Sequence, residues 1–172
     1  MRPVIMIMGI MASGKSRIGK EIADRLGFIF VEGDDFHPVA NVQKMSAGEP
    51  LTDTDRATWL QRLATEVNHM SAKGDGVVFS CSALKRAYRD TLKQTLPELL
   101  TICLDLDADT AIARASARSD HFMPSVLVDS QLATLERPVA ESRSRLIDAN
   151  AAFAQVLENA QAAVDAWLKM RA

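Results

Sequence analysis

The stretch Gly9-Ile10-Met11-Ala12-Ser13-Gly14-Lys15-Ser16 decides the fold. It fits G-x-x-x-x-G-K-[ST]. It follows the apolar run Val4–Met8 and opens the stretch Ser16–Leu26, where Ile18, Ile22 and Leu26 recur at helical spacing. Glycines let such a loop turn tightly, so successive backbone N–H groups point inward at phosphate oxygens. The helix that follows adds the positive end of its dipole. Lys15 is placed to reach the β- and γ-phosphates, and Ser16 to offer a hydroxyl to Mg2+. Gly9, Ile10, Met11, Ala12, Ser13, Gly14, Lys15 and Ser16 are therefore all candidate nucleotide-binding residues.

Around that loop the chain alternates short apolar runs with longer amphipathic ones. Strands are predicted at Val4–Met8, Phe28–Val31, Val77–Cys81, Leu100–Leu106 and, more weakly, Ser144–Asp148. Helices are predicted over Ser16–Leu26, Asp55–Met70, Leu84–Leu96, Thr110–Arg118 and Ala149–Met170. Near-continuous apolar strands separated by helices imply a parallel sheet covered on both faces. Two stretches depart from the alternation: Gly33–Thr52, polar and turn-rich, and Arg114–Pro138, which mixes Arg, His and Pro with apolar residues. Both read as functional inserts, because ligands of such folds bind beyond the carboxyl ends of the strands.

The 172 residues suit one domain, with an insert at about 115–138. At 48% hydrophobic and 24% charged, the chain can bury a core and is not of disordered composition. Twenty-two acids against 20 bases leave a net charge of −2, with none of the basic surplus of a nucleic-acid binder. No apolar run reaches the roughly 18 residues of a membrane span. Arg2 and the stretch Val4–Ala12 resemble a short leader, but the run passes straight into Gly14-Lys15-Ser16 and is read as the first strand of a soluble protein. Cys81 and Cys103 lie in strand-like runs without metal-binding spacing and read as reduced core thiols.

The chain lacks Asn-Lys-x-Asp, which a guanine-reading GTPase would carry. Asp105 and Asp107 end the fourth strand, whereas the third strand, ending Ser80-Cys81-Ser82, is expected beside the loop; the two acids are read as strand-end acids rather than metal ligands. Gly33-Asp34-Asp35-Phe36-His37-Pro38 follows the second strand. Phosphoryl transfer to a hydroxyl needs a carboxylate to orient or accept the proton, and Asp34 or Asp35 can supply it. A lone His37 before Pro38 is more often structural than catalytic. Lys85 and Arg89, four apart after the third strand, are expected to share a helix face and offer cations to an anionic substrate. Arg114 and Arg118, also four apart, lead into Asp120-His121-Phe122-Met123-Pro124, the pattern of an arginine-bearing lid that excludes water.

Taken together, GIMASGKS, GDDFHP, NVQKMSAGEPLTDTDRATW (41–59), CSALKRAYRD, ARSDHFMP and SQLATLERP (130–138) resemble the gluconokinase family of small P-loop kinases. The run KM-x-x-G-x-P-L-x-D-x-D-R-x-x-W is far more specific than the phosphate loop. The resemblance covers residues 4–138 and implies a nucleoside-monophosphate-kinase-like α/β fold, a five-stranded parallel sheet ordered 2-3-1-4-5 with a helical lid. It implies transfer from ATP, with Mg2+, to the 6-hydroxyl of D-gluconate, by a cytoplasmic homodimer. Lys15, Asp34 and Arg118 then take catalytic roles, with Ser16 and Asp34 toward the metal and Arg114 toward the nucleotide. His37, Ser82, Lys85, Arg89 and His121 join Asp34 on the substrate side. The alternatives are a shikimate-type kinase of the same fold, against which the strand-three end CSALK weighs, and a non-catalytic ATP-binding relative, against which Lys15, Ser16 and Asp34 weigh. The sequence departs from the commonest family pattern at Ala12, where a glycine or serine is frequent, and at Ser119-Asp120-His121.

Overall fold

The structure, a computed structural model, describes residues 2–117 and 127–171. Five parallel strands form one sheet: β1 (Val4–Met8), β2 (Ile29–Glu32), β3 (Val77–Ser80), β4 (Leu100–Asp105) and β5 (Ser144–Asp148). Their order is β2-β3-β1-β4-β5, as the resemblance implied. The most apolar strand takes the middle. All five residues of β1 are buried, whereas edge strand β5 exposes Arg145, Leu146 and Asp148. Register runs Val4↔Val77 and Ile5↔Leu100 on the two sides of β1, so Ser80 at the end of β3 and Cys103 in β4 flank the carboxyl end of β1.

Helix α1 (Lys15–Leu26) follows β1 and packs beside α7 (Phe153–Lys169) on one face of the sheet. Helices α3 (Asp53–Ala72) and α4 (Arg86–Thr95) pack together on the other, as right-handed crossovers require. Their inward stripes, Ile18 and Ile22 from α1 and Trp59, Leu63 and Val67 from α3, join the strand side chains in one core. Cys81 and Cys103 are buried free thiols, and burial pushes both up to about 12. No helix among the described residues is long and apolar enough to cross a membrane.

The two inserts hold more helix than their composition suggests. After the 3-10 turn Gly33–Phe36 comes α2 (Val39–Ser46). The second insert begins in the last turn of α5 (Ala108–Ser116), where the sequence predicts a helix, and holds α6 (Leu127–Thr134). Arg118 and His121 lie outside the described residues.

Candidate active site

The phosphate loop leaves β1 at the centre of the sheet. Gly9 sits at φ 144°, and a Cβ there would lie 2.7 Å from the Leu104 carbonyl oxygen, so neither a side chain nor its usual backbone fits. Ala12 holds φ 62°, a left-handed conformation that glycine adopts without strain. Helix α1 starts at Lys15 with no acidic residue in its first turn, leaving its positive end open to an anion. Lys15 folds over the loop, its Nζ donating to the Ile10 carbonyl at 2.9 Å.

On one side of this loop lies a cavity of about 180 Å³. Met11, Ala12, Gly14, Lys15 and Ser16 meet Asp34, His37 and Ser82 on its wall. Asp34 reaches it because β2 and β3 approach closely at Gly33: a Cβ at Gly33 would lie 2.0 Å from the Ser80 carbonyl oxygen. Both backbone groups of Gly33 are held, its N–H by Ser80 Oγ at 3.1 Å and its carbonyl by Trp59 Nε1 at 2.7 Å. The turn beginning there aims Asp34 at the cavity and leaves Asp35 exposed.

His37 stacks on Trp59 with ring centroids 3.9 Å apart. Burial, aided by the Arg56 charge, lowers its pKa to about 4, so the imidazole is neutral near pH 7. Asn41 Nδ2 lies 3.4 Å from Nδ1 and Asp34 Oδ1 lies 3.8 Å from Nε2. An amide N–H on Nδ1 sets the tautomer that turns Nε2–H toward Asp34.

The specific run from Lys44 to Trp59 builds the far wall. Thr52 and Asp55 form a capping box at the start of α3, and Lys44 Nζ binds both Asp55 oxygens at 2.8 and 2.9 Å. Those hydrogen bonds, that from Lys44 foremost, hold Asp55 down at about 2. The entry to α3 is thus fixed, and the next residue, Arg56, points into the cavity with Met45, Leu51 and Trp59. Arg56 bonds the Leu51 carbonyl and lies 3.5 Å from that of Thr52. Among the described residues the lining carries three cations, Lys15, Arg17 and Arg56, against the one carboxylate of Asp34, a balance that favours an anionic occupant.

Lys85 and Arg89 stand elsewhere. Helix α4 begins at Arg86, and Lys85 is its extended N-cap, so the two do not share a helix face. Lys85 Nζ binds both oxygens of Asp53, at 2.7 and 2.9 Å, and Tyr88 donates to the same carboxylate. Arg89 is fully buried. Its Nη1 donates to the carbonyls of Ala83 and Leu84 at 2.8 and 3.0 Å, and its Nε and Nη2 bond Glu141. Burial pushes Glu141 up, but hydrogen bonds from Arg89 and Lys93 outweigh it and hold the carboxyl below its ordinary range. Ala83 holds φ 40°. Arg89 thus clamps the strained turn that presents Ser82 to the cavity. Of the strand-end acids, Asp105 pairs with Arg137 at 2.8 Å and Asp107 caps α5 through the Thr110 N–H.

Across the loop a second cavity, about 210 Å³, is lined by Ala12, Ser13, Gly14, Arg17, Arg114 and Phe153. The Arg17 guanidinium lies 3.7 Å over the Phe153 ring, and the arm of α5 brings in Arg114. Sequence reasoning did not assign Arg56, Trp59 or Gln131 to the site. The first two have a signal, an Arg-x-x-Trp spacing that puts both on one helix face; Gln131 lies in the segment SQLATLERP that carries part of the resemblance, but nothing in its spacing points it at the loop.

The sequence profile of the shikimate kinase family matches residues 11–170. The thermosensitive gluconokinase of Escherichia coli K12 is 42% identical over 159 residues, covering 92% of this chain and 85% of its own length. A gluconokinase from Sinorhizobium meliloti 1021 superposes with a TM-score of 0.86 at 40% identity, over 96% of this chain and 94% of that one. A sugar kinase from Janibacter sp. HTCC2649 superposes with a TM-score of 0.91 at 38% identity, over 96% and 95%. The motif that lines the cavity and the likeness along nearly the whole chain agree: this chain belongs to the gluconokinase family of P-loop kinases.

Proposed function

We propose that the chain transfers the γ-phosphoryl group of ATP to the 6-hydroxyl of D-gluconate. One observation carries the reading: the phosphate loop is a shared wall, with Ala12, Gly14 and Arg17 lining both cavities. A nucleotide on the Arg114 side and an anionic acceptor on the Asp34 side would meet at Lys15 and Ser16. Arg56, whose guanidinium has spare donors among the described residues, suits the gluconate carboxylate. Ser82 and neutral His37 suit the hydroxyls.

In the step itself, the 6-hydroxyl oxygen bonds to the γ-phosphorus, and the bond from that phosphorus to the β,γ-bridging oxygen breaks. The electron pair leaves with ADP, and the hydroxyl proton passes to the Asp34 carboxylate. Lys15 and the loop N–H groups hold charge on the transferring group. Among the described residues no cluster of three His, Cys, Asp or Glu could cage a metal. A Ser16 hydroxyl with an Asp34 carboxylate oxygen suits Mg2+, which keeps most of its waters and binds with substrate phosphates. When bound, it would neutralise charge on the β- and γ-oxygens.

Coupled ADP release with Mg-ATP tests this against gluconate, other aldonates, shikimate and nucleoside monophosphates. Turnover strongest with gluconate is expected. Turnover confined to shikimate or to a nucleotide would discard the acceptor assignment.

A further inference from the structure

We infer that Gln131 is a catalytic residue whose side-chain amide donates a hydrogen bond to the phosphoryl group in transit, an assignment that rests on the phosphotransfer reading above. Gln131 stands on α6, and its Oε1 accepts the Met11 N–H at 2.7 Å across 120 positions of sequence. A backbone N–H can only donate, so this bond fixes which arm of the amide meets the loop. The NH2 arm must point away from Met11. Among the described residues it has no hydrogen-bond partner, and Gln131 lines the acceptor cavity with Lys15, Ser16 and Asp34.

The path of the phosphoryl group runs between those residues, from the loop to the hydroxyl beside Asp34. Met11 is the third residue of the loop and lies on its acceptor-facing edge. An amide docked there sits beside the equatorial oxygens as the bond to ADP lengthens. Being anchored, its donor needs no reorganisation when charge develops, which is the condition under which such donors matter most. Being neutral, it adds a donor to a wall whose described residues already include Lys15, Arg17 and Arg56.

Two variants separate donation from anchoring. Gln131→Glu keeps an acceptor for the Met11 N–H and loses the donor; Gln131→Met loses both without adding charge. Both are expected to lower kcat by about 10²–10³-fold, with KM for gluconate and MgADP affinity changed less than about threefold. The kcat of Gln131→Glu relative to wild type should rise as pH falls from 8 to 5.5, because a protonated carboxyl regains an O–H donor. A Gln131→Met enzyme with near wild-type kcat overturns the assignment. So does a wild-type-like Gln131→Glu beside a slow Gln131→Met, which would make the residue an anchor only, and so does a flat pH ratio. Wild-type enzyme without turnover on any acceptor overturns the phosphotransfer reading itself, and this assignment with it.

Discussion

Replacing Arg89 by methionine distinguishes a clamp from a substrate cation. The guanidinium is fully buried and serves Glu141 and two backbone carbonyls. Methionine refills most of the volume but none of the bonds. Breaking a buried ion pair by removing one partner costs about 3–5 kcal/mol. Lys93 remains 2.9 Å from Glu141, which favours the lower end of that range. Leu84 keeps one partner for its carbonyl, the Glu136 N–H at 2.9 Å, whereas Ala83 loses the bond Arg89 gave it. An orphaned buried carbonyl adds about 1 kcal/mol, so a loss near 4 kcal/mol is expected. Against a total stability of about 5–15 kcal/mol the variant should still fold, marginally. Urea unfolding followed by tryptophan fluorescence should show the midpoint falling by roughly 2 M, taking about 2 kcal/mol per molar for the slope. Adding Glu141→Gln should recover part of the loss, because the stranded charge goes. A midpoint within about 0.3 M of wild type, with a tenfold or greater rise in gluconate KM, would refute the clamp and restore Arg89 as a substrate cation.

Ala12→Gly should relieve the left-handed strain at φ 62°, raising stability by about 0.5–1 kcal/mol after the added freedom of the unfolded chain is counted; calorimetry should find Tm up by about 2 °C. The His37 ring, neutral in the folded protein down to about pH 4, takes a proton in the unfolded chain below about 6.5. The unfolded state therefore binds more protons between those limits, and stability falls as pH drops through that window. Denaturation curves should show wild type losing on the order of 2 kcal/mol more than His37→Gln between pH 7 and 4. An equal loss in both would remove His37 as the source.

Much of this architecture is legible in the chain because it rests on period and on loop chemistry. The strand–glycine-loop–helix unit is local, and the five apolar runs sit within a residue or two of the strands. Helix α2 reads as turn because its eight residues bury only Asn41 and Met45, too few to show a helical period. The misplaced pair is Lys85 and Arg89. Spacing of four implies one face only if both residues are inside the helix, and Lys85 is its cap. Burial of a full arginine shell against Glu141, 52 positions away, is tertiary and leaves no local mark. Trp59 is buried in the core; its second role, stacking under His37 and holding Gly33, needs the turn after β2 to fold over it and leaves no local mark. Gln131 reaches Met11 only because α6 returns to the centre of the sheet.

The most direct test of phosphoryl transfer across the loop to a hydroxyl beside Asp34 is a 31P NMR time course of wild type and Asp34→Asn with Mg-ATP and gluconate. Wild type should convert the γ-phosphate into a phosphomonoester coupled to the two C6 protons, with no matching inorganic phosphate. Asp34→Asn, still binding MgADP, should form it about 10²–10⁴ times more slowly. Inorganic phosphate in place of the ester, an ester on another carbon, or an unimpaired Asp34→Asn would contradict the account.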